Sequence, residues 1–166
     1  MNSIARLRFD VMRLAEALAE RGELKRRIEQ LGARIVANAR YQEGEEPAEN
    51  AGELLEQLTD AVDRHALLIA RINKANTATP VGDRTLTDAL AERDALQTRH
   101  RALTAAADAA SGGKDRYGRQ LRSELAYVSA LSVRDLRRTA DDLARRIRRV
   151  DLEIQRVNWE VDLIDE

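Results

Sequence analysis

The sequence predicts an all-α protein, a long antiparallel helical bundle of about four helices joined as coiled-coil hairpins. Three observations carry that prediction. The chain of 166 residues has only eight Gly and two Pro, too few for the turns of an all-β fold. Hydrophobic residues make up 43% but aromatic residues only 3%, and the charged 34% is balanced between 28 Lys+Arg and 29 Asp+Glu. Apolar residues recur at alternating spacings of three and four, the period of an amphipathic helix. The breakers Gly44 with Pro47, Pro80 with Gly82, and Gly112 with Gly113 and Gly118 divide this pattern into four segments. Together these features predict a single helical domain over residues 1–166, long enough to bury a core without metal or disulfide staples.

In the first segment Ile4, Leu7, Val11, Leu14 and Leu18 form one run, and Leu24, Ile28, Leu31 and Ile35 form another. The offset at Arg21 and Gly22 predicts a local phase slip. The second segment lines one face with Leu54, Leu58, Ala61, His65, Leu68 and Ile72, widened by Leu55, Val62 and Ile69; the third runs Leu86, Ala89, Arg93, Leu96, His100, Leu103. The fourth is the most regular: Val133, Leu136, Ala140, Leu143, Ile147, Val150, Ile154, Val157, Val161 and Ile164 predict a helix of about 32 residues and about 48 Å.

Start signals agree with this division. Asn50 with Glu53, Thr85 with Asp88 and Ser132 with Asp135 each place a capping side chain three residues before a carboxylate. Between the second and third helices, TATPVGDRTLT flanks Gly82 and Asp83 with β-branched residues, which predicts a miniature β-hairpin near residues 78–87. Residues 121–129, where Leu125 and Tyr127 alternate, are expected to be extended and to pair with it.

Towards the end of the fourth helix, Leu152, Trp159 and Leu163 widen the apolar arc beyond what one neighbouring helix covers. These three residues are therefore the expected contacts of a homo-oligomer. The same helix is charge-polarised, with seven arginines against three aspartates over residues 134–149 and an acidic end from Asp151 to Glu166. That polarity suits antiparallel helix pairing, and with a formal net charge of -1 it gives no case for nucleic acid as a partner. The N-terminus lacks the apolar core of a signal peptide, and no segment reaches the roughly 18–20 apolar residues of a membrane span. The reading is a cytoplasmic protein with no integral membrane segment.

The absence of cysteine excludes thiolate metal sites, thiol catalysis and disulfides. An antiparallel pairing of the second and third helices sets His65 level with His100 and Arg71 level with Asp94. The positions three before each histidine are Val62 and Gln97, where a di-metal bundle site needs glutamates, so no metal and no cofactor is expected. Arg71, Asn73, Asn76, Thr87, Arg93 and Asp94 crowd polar groups towards that hairpin's end, a candidate cleft for a small ligand. The acidic loop with Glu43, Glu45, Glu46 and Glu49 and the loop bearing Arg116, Tyr117 and Arg119 are further candidates for polar binding. No residue set reads as an activated nucleophile, so no catalytic residue is assigned.

Taken in order, NARYQEGEEPAE (Asn38 to Glu49), RINKAN (Arg71 to Asn76), TLTDALAERD (Thr85 to Asp94), DRYGR (Asp115 to Arg119) and VNWEVDL (Val157 to Leu163) resemble the septicolysin-like family of small bacterial helical proteins. The similarity runs from about Met12 to the C-terminus, which makes residues 1–11 an extension of the first helix. The resemblance implies an all-helical, self-associating protein, and the family's name implies a membrane-active alternative. Where that family has serine after the Arg-Tyr pair, Gly118 stands here. The resembling motifs include Asn38, Gln42, Glu43 and Glu45 as well as the hairpin-end and Tyr117 residues. Convergence of these segments would make one ligand site, either for binding or for an enzyme built on carboxylate and arginine.

Overall fold

The computed structural model describes residues 12–112 and 128–163. The expectations placed on residues 1–11, on residues 113–127 and on Ile164 lie outside these. The order is β1 (Met12–Arg13), α1 (Leu14–Asn38), α2 (Ala51–Ala78), β2 (Pro80–Val81), β3 (Arg84–Thr85), α3 (Leu86–Ala110), α4 (Val133–Glu160) and β4 (Asp162–Leu163). Among the described residues, four helices with two very short antiparallel strand pairs make the protein all-α. The chain divides into two compact units: one comprises the residues up to Thr79 and those from Arg156 on, the other Pro80–Gln155.

In the first unit α1 and α2 form an antiparallel hairpin. Its core gathers Leu31, Leu54 and Ala61, packed against by Ile28, Ile35 and Leu58, while Leu14, Ala17, Leu24, Leu68 and Ile72 extend the buried line. The predicted phase slip does not occur. The helix runs unbroken through Gly22 because the buried stripe continues through Ala17 rather than Leu18. Leu14, Ala17, Arg21, Leu24, Ile28, Leu31 and Ile35 then keep a single three-four alternation. On α2 the predicted face is the buried one, but Leu55 and Val62 remain exposed.

The first unit contains a strand pair that the periodicity does not announce. Helix α4 ends at Glu160, not near residue 164, which shortens it to 28 residues or about 42 Å. The reason is a competing partner: Asp162–Leu163 pairs antiparallel with Met12–Arg13, Leu163 opposite Met12 and Asp162 opposite Arg13. The junction caps two helices at once. The Leu14 N–H, an orphan donor at the start of α1, donates to the Val161 carbonyl at 2.8 Å, and the Arg13 guanidinium donates to the Trp159 carbonyl at 2.7 Å. Arg13 also pairs with Asp162 at 3.2 Å, and its own N–H donates to the Glu16 carboxylate at 2.8 Å.

The second unit opens with the predicted hairpin, Pro80 opposite Thr85 and Val81 opposite Arg84. Gly82 at φ +66 with Asp83 at negative φ matches a turn whose first central position demands glycine. Helix α3 buries Leu86, Ala89, Leu96 and Ala107, and α4 buries Ala140, Leu143, Val150 and Ile154 along the predicted stripe. All three capping side chains accept from their helices, and at Thr85 the carboxylate three residues on also answers the cap's backbone N–H. The Asn50 side chain accepts from the Gly52 and Glu53 N–H groups at 2.9 and 3.3 Å. Thr85 and Asp88 exchange side chain-to-backbone bonds at 3.1 and 3.2 Å, and Ser132 accepts from the Asp135 N–H at 3.3 Å.

Candidate functional site

The helical caps and joints account for most of the unusual polar motifs. In the α1–α2 connection, Arg34 holds Glu49 through two guanidinium bonds, one from Nε at 2.9 Å. Asn38 donates to the Arg34 carbonyl at 2.9 Å and accepts the Glu49 N–H at 3.1 Å. The bond from Arg34 holds the Glu49 carboxyl below its ordinary range, and Glu49 in turn raises Arg34. Between these anchors the Glu45 N–H donates to the Gln42 carbonyl at 3.0 Å around Gly44, whose φ of +92 only glycine adopts readily. Gln42, Glu43, Glu45 and Glu46 stand exposed on that turn.

These groups do not meet the RINKAN residues. Helix α2 begins at Ala51, directly after the acidic loop, and Arg71 lies 20 residues further, about 30 Å along a continuous helix. Asn38, Gln42, Glu43 and Glu45 therefore sit at one end of the first unit, whereas Arg71, Asn73 and Asn76 sit at the other. A single site uniting them is ruled out by the length of the helix. Arg71 is half-buried, and Thr77 closes the last turn by donating to the Asn73 and Lys74 carbonyls at 3.2 and 2.9 Å. In the second unit Arg93 pairs with its neighbour Asp94 at 2.9 Å, and Thr87 is exposed in the first turn of α3. Hydrogen bonding to Thr85 lowers the Asp88 carboxyl below its usual range. His65 belongs to α2 and His100 to α3, both half-buried. Among the described residues no group of three or more His, Asp or Glu is placed to hold a metal ion. Arg116, Tyr117 and Arg119 lie outside the described residues.

Two polar features escape the sequence reading. One is the Arg13 clamp on the end of α4. The other, in the second unit, centres on Arg84 of the hairpin, which reaches Glu92 of α3 at 2.6 Å and Glu153 of α4 at 3.1 Å, while Arg146 approaches Glu92 at 3.4 Å. A heptad interval separates Arg146 from Glu153, the one signal in the sequence that they share a helix face.

An open groove of about 1530 Å³ runs along α1 and α2 in the first unit. Leu24, Leu31 and Leu68 form its floor, Glu16, Glu20, Glu23, Arg27, Gln30 and Arg34 rise along the α1 side, and Arg64, Leu67 and Arg71 along the α2 side. Arg64 pairs with Glu20 at 3.1 Å across it. Leu67 is 55% exposed. On α4, Leu152 and Trp159 are 68% and 63% exposed, seven residues apart on one helix. Leu163 does not share this exposure. It is 3% exposed, because its strand turns it into the chain's own packing against Met12, and it is no surface contact.

Such a chain offers long helical faces with arginine and glutamate in register, and its described helices include none long and apolar enough to cross a membrane. No curated protein matches it. A crystal structure of a functionally unknown conserved protein from Corynebacterium diphtheriae is similar with a TM-score of 0.87 and 40% sequence identity, covering 93% of this chain and 100% of that one. A family model described as a family of unknown function, DUF6847, matches residues 21–163. The match spans both helical units, and the chain belongs to the DUF6847 family.

Proposed function

We propose that the protein is a self-associating interaction protein of the cytoplasm, a helical bundle whose biochemical role is exercised as a homo-oligomer. The observation that carries this reading is the exposure of Leu152 and Trp159 on α4, 68% and 63%, on a helix whose opposite stripe is already buried. A large exposed indole is the residue type that most often anchors a protein interface, and the exposed Leu152 adds apolar area. The septicolysin-like resemblance of the motifs from Asn38 to Leu163 supports the same self-association. The resembling segments in the described residues serve as joints: the Asn38 and Glu49 network, the Thr85 cap and the strand at Leu163 all fix helix ends. These contacts support a role in building the helical scaffold more than in forming a reacting centre.

The test is sedimentation equilibrium of the full chain beside Leu152→Glu and Trp159→Glu variants. Self-association that weakens by at least about tenfold in either variant agrees with the proposal. Undiminished association of the double variant would remove α4 as the interface.

A further inference from the structure

The α1 wall of the groove carries a charge pattern that is its own complement. Glu16, Glu20, Glu23, Arg27, Gln30 and Arg34 follow one another at spacings of four and three, so they share one face of the helix, and all six line the groove. Turned end for end about the level of residue 25, Glu16 falls opposite Arg34, Glu20 opposite Gln30 and Glu23 opposite Arg27. A parallel copy would instead set acid on acid along half the row. Such a row satisfies the requirement of a two-fold interface, in which every contact is made twice by the same surface.

We propose that a second copy of the chain docks on this groove, its α1 antiparallel to the first, so that two α1–α2 hairpins close into one helical bundle. The proposal rests on the self-association reading and adds to it a second surface, distinct from α4. Three members of the row already have contacts within the chain: Glu20 with Arg64, Arg34 with Glu49, and Glu16 with the Arg13 N–H. Glu23 and Arg27, both exposed, form no ion pair among the described residues, and they are the two positions nearest the proposed axis. Leu67, 55% exposed on the α2 side, supplies apolar contact beside the charges. The groove lining as a whole carries five arginines against three glutamates. Along α1, however, the two signs are segregated end to end, so an antiparallel copy meets acid with base where a uniform polyanion would meet Glu16, Glu20 and Glu23 with like charge. Charge pairs of this kind set orientation and partner choice more than raw affinity.

The experiment uses the full chain with Glu23→Arg, Arg27→Glu and the swapped double variant, each checked by circular dichroism for wild-type helicity and weighed by sedimentation equilibrium. Each single reversal sets like charges together at both copies of the contact, and is expected to weaken assembly by about tenfold or more. An equimolar mixture of the two single variants restores it, and the swapped double variant assembles with itself but not with wild type. Single variants that assemble as wild type does, or reversals that mixing fails to rescue, overturn this proposal while leaving self-association through α4 standing. A wild-type chain that stays monomeric overturns both.

Discussion

The two units solve the same problem, holding long helices together, with different chemistry. In the first, α1 and α2 meet over leucine: Leu14, Leu24, Leu31, Leu54 and Leu68 are all less than a tenth exposed. Polar groups there work mainly at the ends, in the Arg34–Glu49 joint and the Arg13 clamp, with the Arg64–Glu20 pair bridging the two helices between them. In the second, Ala89, Ala107 and Ala140 alternate with Leu86, Leu96, Leu143 and Ile154 at buried positions, and Arg84 ties the hairpin to carboxylates on both helices. Small buried side chains contribute less apolar area per position, so a half-buried ion-pair cluster carries more of the burden of fixing geometry. The lesson is that one period of hydrophobicity can specify two units whose stabilising interactions respond to different perturbations.

The largest effect that would sharpen this contrast lies in the leucine core. Leu31 is 2% exposed at the centre of the first unit, and Leu31→Ala is expected to cost about 2–5 kcal/mol by lost transfer energy plus the cavity left behind. Urea denaturation measures it, and the loss should be nearly independent of salt. Next comes Arg84→Ala, which leaves Glu92 and Glu153 without their shared cation and should cost about 1–3 kcal/mol. A thermal melt at low and high salt distinguishes the mechanisms: salt should diminish the Arg84→Ala effect and leave that of Leu31→Ala unchanged. Equal salt responses would break the comparison.

Smaller still is Asn50→Ala, which removes the acceptor for the first N–H groups of α2, for about 1 kcal/mol and earlier fraying seen by amide exchange at Gly52 and Glu53. The smallest expected effect is a response to acid. Glu49 and Asp88 are both held below the ordinary carboxylate range, so the folded state binds their protons less readily than the unfolded chain. Their contribution is present above the unfolded carboxylate values near about 4 and is lost as pH falls through the lowered folded values. Protection of the Glu49 and Asp88 amides, taken relative to their intrinsic exchange rates at each pH, should fall over that acidic interval, and Glu49→Gln should flatten the first response only.

Much of this architecture is legible in the residues themselves. The alternating three-four spacing of Val133 to Val157 and the paired cap residues at Asn50, Thr85 and Ser132 encode helix faces and starts locally, within a few positions. Gly82 announces its turn for the same reason. The β1–β4 pairing is not local: Met12 and Leu163 meet only after the whole chain has folded, and the hydrophobic period of α4 runs straight through the point where the strand begins. The Arg84 cluster is hidden likewise, since Arg146 and Glu153 at a heptad interval read the same whether solvated or paired, and Arg84 is remote from both in sequence. The proposed interface row is not legible in the sequence, because its glutamates and arginines match an ordinary solvated helix face and only the fold places a groove beside them.

The central claim, that this protein works as an assembly of copies, is tested most directly by sedimentation equilibrium of the unmodified chain over a wide concentration range. The account predicts a mass that rises to a whole multiple of 18.7 kDa and falls when Leu152 and Trp159 are replaced by glutamate. A constant mass of 18.7 kDa at every concentration would contradict it.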